Sequence, residues 1–366
     1  MNIEGTTARY INTGHLIFYG GGSLLAAAFD ADRQELIGTP IPVIDGVLAG
    51  APSFGAHMGI SRNGTLVYVA GKTEVDTRLV MVNRRGEKTV LPFPPALFGT
   101  YQLSPDGRHL AILNRILGTD VWIYDLQQGS RRRVTTDGTG GYPIWSPDGK
   151  WILYSSGVGD RLCVVREMAD GSGQREVIER AGRSNPFSFT PDGRYLAVSG
   201  TDSATWNDVK VIDLQSAAVP LEIAGTPASE WGPSFSCDGS LIAYVSDESG
   251  QYEIYVQPFP PDGRRWQVST EGGEEPVWSG TGKELFYRRG QEWVAVEVAT
   301  TPGFIVKKSL VALSGNYLNV SGRSYDVTRD GNRFLVLEPL DAQVRLTEIR
   351  VVTHWFREVE AKVKGH

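Results

Sequence analysis

The chain has 366 residues, 41% of them hydrophobic and 21% charged, a composition that excludes a disordered or fibrous protein and allows two ordinary domains or one large all-β domain. A formal net charge of −6 gives no general attraction to nucleic acid or to an anionic membrane, and no run of 18 apolar residues supplies a spanning helix, so no nucleic-acid partner and no membrane insertion are expected. The two cysteines, Cys163 and Cys237, lack a CxxC spacing, which excludes a disulfide framework or a zinc knuckle and leaves buried, inert thiols.

In chain order, the opening MNIEGTTARY has neither the basic nor the apolar region of a signal peptide. The chain therefore reads as cytoplasmic as it stands, or as extracytoplasmic (periplasmic) if it derives from a longer receptor. A degenerate first repeat, INTGHLIFY, begins at Ile11. It recurs as SRNGTLVYV from Ser61, SPDGRHLAI from Ser104, SPDGKWILY from Ser146 and TPDGRYLAV from Thr190, then as SCDGSLIAY from Ser236, SGTGKELFY from Ser279 and TRDGNRFLV from Thr328. Successive starts lie 50, 43, 42, 44, 46, 43 and 49 residues apart, so eight units beginning near residues 8, 54, 98, 141, 184, 230, 274 and 323 account for nearly the whole chain.

Each unit repeats the same later events. A second β-rich run follows the motif, such as LLAAAF at Leu24, RLVMVN at Arg78, VWIYDL at Val121, VKVIDL at Val209, EIYVQP at Glu253 and WVAVEV at Trp293. A third follows a polar turn, as KTVLPF at Lys88 or RWQVST at Arg265, and a short run such as GYPIW at Gly141 precedes the motif. Alternating Val, Ile, Tyr and Trp punctuated by Gly, Asp, Asn and Pro predict strands, four per unit, and no segment keeps a helical period. The basic run Arg131-Arg132-Arg133 fits a solvated strand edge.

Four short antiparallel strands every ~45 residues predict the blades of a β-propeller, since one blade alone cannot bury both faces while a closed ring can. The sequence predicts a single monomeric propeller domain over 1–366 with eight blades, seven plus an irregular flank being the alternative. The last unit lacks a clear fourth strand, which predicts that the N-terminal strand completes the last blade and hides both ends.

The SPDG units followed by IYxxDL resemble the TolB-type (WD40-like) propeller repeats of bacteria. YINTGHLIFY, SRNGTLVYV, SDESGQYEIYVQPFP and GGEEPVWS are similar to propellers fused behind bacterial serine/threonine kinase domains. The resemblance covers essentially the whole chain and implies a sensor or protein-interaction module. The family's namesake is a periplasmic six-bladed protein with an additional N-terminal domain, which this sequence does not show. No kinase-type Gly-rich loop, HRD or DFG is present, and no GxSxG elbow marks a serine hydrolase.

The motif itself reads as a turn. Catalysis needs one site, whereas seven units carry Ser or Thr at the first position, five carry Asp at the third, and all eight keep the Gly. Pro sets φ, Asp accepts backbone N–H bonds and Gly takes the conformation other residues resist. Asn63 can replace the Asp, and Thr281 can do so more weakly.

Aligning the units on this turn brings together the residues that enter the channel-lining strands. Four positions upstream stand His57, Thr100, Tyr142, Pro186, Gly232, Glu275 and Ser324, flanked by Arg183, Asn185, Glu230, Trp231, Glu274 and Arg323. One reading is a hydrated mouth that binds a protein, peptide or small-molecule ligand through Tyr101, Tyr142, Arg183, Trp231 and Arg323. The other is an axial divalent cation held by His57, Asn185, Glu230, Glu274 and Glu275. Carboxylate and amide oxygens suit Ca²⁺, while a participating His57 favours Zn²⁺. Such an ion would polarise a substrate oxygen, as in propeller hydrolases acting on lactones, esters or phosphotriesters. His15 and His109 are expected at the surface, His354 in a C-terminal strand, and Trp206 in an overhanging loop. The expected function is thus a ligand- or protein-binding scaffold, with a metal-dependent hydrolase as the alternative and a detached part of a kinase-linked receptor as a third option.

Overall fold

The computed structural model describes residues 6–20, 23–48, 56–71, 76–115, 119–158, 161–178, 181–200, 207–224, 226–300, 303–340 and 348–364. The fold is all-β, built of antiparallel sheets with one helix among the described residues. Seven sheets have four strands and one has three, so eight sheets stand where eight repeat units were expected. The chain divides into two compact units, 76–340 and 1–75 with 341–366.

Five sheets of the 76–340 unit follow chain order. Their first strands are Phe98–Leu103, Gly141–Trp145, Ser184–Phe189, Glu230–Phe235 and Glu274–Trp278. A sixth sheet is composite: Tyr325–Val327 and Arg333–Pro339 pair onward with Thr77–Asn83 and Lys88–Val90. The six first strands touch in cyclic order, with Tyr325–Val327 packed against Phe98–Leu103 on one side and joined to Glu275 by the Tyr325 hydroxyl on the other. The ring within 76–340 therefore closes on six blades.

The cyclic stitching is set by residues one period apart. The Trp145 indole N–H donates to the Gln102 carbonyl at 3.2 Å, and that of Trp278 donates to Ser234 at 3.0 Å. The Ser188 hydroxyl donates to the Pro233 carbonyl, and across the closure of the ring, 223 residues apart, the Leu103 N–H donates to Asp326. Between blades the apolar faces interlock, as where Val80, Val277, Phe286, Trp293, Tyr325 and Phe334 form one buried cluster. Each such side chain contributes about 1.5–3 kcal/mol when removed from water.

The expected closure is corrected. The N-terminal strand Thr6–Ile11 pairs with His15–Gly20 in its own sheet, and Thr77–Asn83 completes the last one instead. The reason is the side-chain pattern. The slot beside Arg333–Pro339 is buried on both faces, and RLVMVN fills it with Leu79, Val80, Met81 and Val82, whereas TTARYI is largely exposed. In the other unit, His15–Gly20, Ser23–Asp30 and Glu35–Asp45 complete the N-terminal sheet, and Met58–Ile60, Leu66–Ala70 and Glu348–Val352 form the three-stranded one.

A second correction concerns the C-terminus: no segment was expected to keep a helical period, yet Trp355–Lys364 is a helix. Trp355 and Val359, one turn apart, bury fully against Ile17, Leu24, Val43 and Leu66, leaving the charged side chains outside. His354 stands in the turn before it at φ 59°. His15, expected at the surface, is buried and bonded to the Thr13 hydroxyl at 3.0 Å.

The motif is the expected turn. The Ser146 hydroxyl donates to Asp148 at 2.6 Å and accepts the Trp151 N–H at 2.9 Å, while Asp148 also accepts the Lys150 N–H. Gly149 sits at φ 68°. The same hydroxyl–carboxylate bond recurs at Ser104–Asp106, Thr190–Asp192, Ser236–Asp238 and Thr328–Asp330. That bond is the main cause holding Asp106, Asp148, Asp192 and Asp330 below the usual carboxylate range. Asn63 takes the Asp place by accepting from Ser61, and Thr281 makes the longer contacts of 3.0 Å to Ser279 and 3.4 Å to Lys283 N. Cys163 is buried, but Cys237 lies exposed on its turn, correcting that expectation.

Candidate functional site: the channel mouth of residues 76–340

The ring of 76–340 has two ends. The motif turns surround a wide cavity of about 980 Å³, and the starts of the first strands surround a narrower one of about 490 Å³. The narrower cavity is the mouth to which the repeat alignment points. Its walls include Tyr142, Asn185, Trp231, Glu274 and Glu275 from four consecutive blades.

These positions meet because the strands are bulged. Tyr142, Gly232 and Glu275 occupy equivalent places and all have left-handed backbone, at φ 49°, 66° and 55°. Pairing slips between Gly141 and Ile144, between Trp231 and Ser234, and between Glu274 and Val277. Proline follows each of the three, as Pro143, Pro233 and Pro276, and its missing N–H suits a bulge rather than a ladder. In a regular strand Glu274 and Glu275 would point to opposite faces; the bulge lets both reach one cavity.

The two carboxylates differ in environment. Glu275 is 5% exposed and accepts the Ser324 N–H at 2.7 Å and its hydroxyl at 2.7 and 2.8 Å. Burial pushes it up to about 7, against the opposing pull of Arg288. The Arg288 guanidinium, itself buried, lies over the Trp293 ring and donates to Ser324 Oγ at 2.6 Å, so Ser324 bridges it to Glu275. Glu274 is half-buried, has no hydrogen-bond or ion-pair partner among the described residues, and is raised by burial. Two ring pairs line the same cavity as the carboxylates: Tyr142 with Phe187 at 5.7 Å and Trp231 with Tyr252 at 6.1 Å between centroids.

The other expected site residues lie elsewhere. Tyr101 is fully buried, its hydroxyl donating to the carbonyls of Ser324 and Leu335, which makes it core rather than rim. Arg183 is exposed and absent from the described walls of the mouth. Arg323 pairs with Asp326 at 3.4 Å and lines the wide motif-side cavity. Glu230 is buried and absent from the described walls of the mouth: Thr226 donates to one oxygen, the other has no partner among the described residues, and burial, opposed by the Thr226 bond and aided by the neighbouring Asp208, Glu248 and Asp247, raises it to about 7. His57 belongs to the other compact unit, where it is exposed. Among the described residues no group of three or more His, Cys, Asp or Glu is placed to hold a metal ion. Trp206 lies outside the described residues.

Several wall residues were not anticipated: Phe187, Ser199, Asn207, Tyr252 and the segment 319–322. Asn207 and Tyr252 each stand one residue before a third strand, Asp208–Asp213 and Glu253–Pro258. Aligning units on the third strand as well as on the motif would have found them.

The structure of a protein assigned as TolB from Agrobacterium tumefaciens superposes with a TM-score of 0.58 at 18% identity, over 73% of this chain and 99% of that one. TolB from Acinetobacter baumannii superposes at 0.51 and 15% identity, over 91% and 80%. The fold is that of a TolB-type β-propeller. No family model matches the sequence. It is 26% identical over 219 residues to the uncharacterized protein Atu1656 of Agrobacterium fabrum, covering 56% of this chain and 73% of that protein. It is 25% identical over 162 residues to the uncharacterized peptidase YuxL of Bacillus subtilis, covering 42% of the propeller chain and 23% of YuxL. No helix among the described residues is long and apolar enough to cross a membrane.

Proposed function

We propose that the protein is a binding propeller whose ligand, a peptide or a small molecule, docks in the mouth of the 76–340 ring. One observation carries this reading: the mouth is a cavity of about 490 Å³ walled by Tyr142, Phe187, Trp231 and Tyr252 with Asn185 and Asn207. The lining is mostly polar, with three asparagines, two carboxylates and two serines, and its four rings add the faces on which a polar or charged ligand can stack. The side chains come from rigid blades, and two of them, Tyr142 and Glu275, are held in costly left-handed backbone. A peptide is the ligand class also suggested by relatives that carry peptidase names, although the match spans only 23% of YuxL and 16% of the dipeptidyl-peptidase 5 of Porphyromonas endodontalis.

The test is a peptide library selected on the immobilised full chain. Enriched peptides should lose at least tenfold in affinity against Asn185→Ala with its melting curve unchanged, and against Trp231→Ala, whose ring also packs on the core so that its melting temperature should fall, and should be recovered uncleaved by mass spectrometry. Equal affinity for the variants would move the site away from the mouth, and cleavage would replace binding with turnover.

A further inference from the structure

The charge balance of the mouth narrows its ligand further, given that the mouth is the binding site. Its described walls contain two carboxylates and no lysine, arginine or histidine. Glu275 is answered from behind by Ser324 and, through it, by Arg288, whose guanidinium also donates to the carbonyls of Gly290 and Tyr317. Glu274 makes no hydrogen bond or ion pair among the described residues and feels Arg288 only at longer range, although it is half-buried in the cavity that the Tyr142–Phe187 and Trp231–Tyr252 ring pairs also line. A carboxylate removed from water in this way is stabilised by a cation brought to it, and the flanking rings attract the same charge over their faces.

We infer that the mouth recognises a guanidinium group, carried by an arginine side chain of a peptide or by a free small cation, which pairs with Glu274 between the two aromatic pairs. The planar fork matches a carboxylate in two parallel hydrogen bonds and stacks on aromatic faces, which a compact ammonium does less well. Asn185, Asn207 and Asn319 add amide oxygens around the same cavity that can accept the remaining N–H groups.

Three probes test this by calorimetry on the full chain: acetyl-Gly-Arg-Gly-amide, its citrulline counterpart, which has the same shape without the charge, and ethylguanidinium. The arginine peptide should bind at least tenfold more tightly than the citrulline peptide, and Glu274→Gln should abolish that preference while leaving the melting curve in place. Ethylguanidinium binding as tightly as the arginine peptide would assign the site to a free small cation, and weaker binding by tenfold or more would assign it to a peptide; both support the inference. Equal binding of the two peptides, or no binding of either, overturns it. If both peptides bind equally and both are lost in Trp231→Ala, the mouth remains the site and only the charge preference fails. If the arginine preference survives both Glu274→Gln and Trp231→Ala, the cation binds elsewhere and the mouth reading fails with it.

Discussion

Glu230 offers a quantitative check on the electrostatics behind the mouth. Its carboxyl is fully buried, accepts a bond from Thr226 on one oxygen and leaves the other without a partner among the described residues. Burial raises it from an ordinary 4.5 to about 7, and the carboxylates of Asp208, Glu248 and Asp247 push the same way. Because the folded protein holds this proton more tightly than the unfolded chain, the group's contribution is fully present below pH 4.5 and is lost as pH rises through 7. At about 1.4 kcal/mol per tenfold, the loss is ~3 kcal/mol once pH is well above the folded value. Glu230→Gln removes the ionisation while keeping an acceptor for Thr226. Urea unfolding of both proteins from pH 4.5 to 8.5 should therefore give stability curves that start together and separate by ~3 kcal/mol, the variant being more stable at the alkaline end. Curves that stay parallel across that range would refute the assignment of Glu230 as a protonated buried acid.

Three further outcomes follow from the geometry, each read by urea unfolding. Gly232→Ala adds a Cβ that meets only Pro276 and Val245 carbons at 3.8 Å, so its cost is the left-handed backbone alone, about 1–2 kcal/mol. Ser146→Ala removes the hydroxyl that ties Asp148 to the Trp151 N–H, and should cost about 1 kcal/mol without changing affinity for any ligand of the mouth. Tyr101→Phe should cost about 1–2 kcal/mol by stripping a donor from two buried carbonyls, again with ligand affinity unchanged; a loss of affinity would return Tyr101 to the rim.

What was legible in the sequence is what local chemistry decides. The Ser-Pro-Asp-Gly turn closes through atoms at most five residues apart, so Ser104, Ser146, Thr190, Ser236 and Thr328 declared it one by one. Closure is another kind of problem. Thr77–Asn83 meets Arg333–Pro339 across 250 residues or more, and many third strands carry a similar apolar pattern, so only the burial of both faces selects the partner. The helix from Trp355 escaped because its aromatic start looks like a strand and its period shows in only two fully buried positions, Trp355 and Val359. In the mouth, alignment on the motif brought Tyr142, Asn185, Trp231, Glu274 and Glu275 together. It misplaced Tyr101 because a strand residue beside the rim turns into the core, and it overlooked Asn207 and Tyr252 because a neighbouring loop supplies them.

The composite sheet has a consequence for modularity. The backbone leaves 1–75 at Asp76 and returns to 341–366 after Leu340, and the Leu340 N–H donates to the Asp76 carbonyl at 3.0 Å. The site-bearing ring is thus a cassette whose two leads emerge side by side, secured by the pairing of Thr77–Asn83 with Arg333–Pro339. A mouth mounted in this way can be permuted, grafted into another host loop or exchanged between proteins as one piece, because its leads need only a gap of one hydrogen bond.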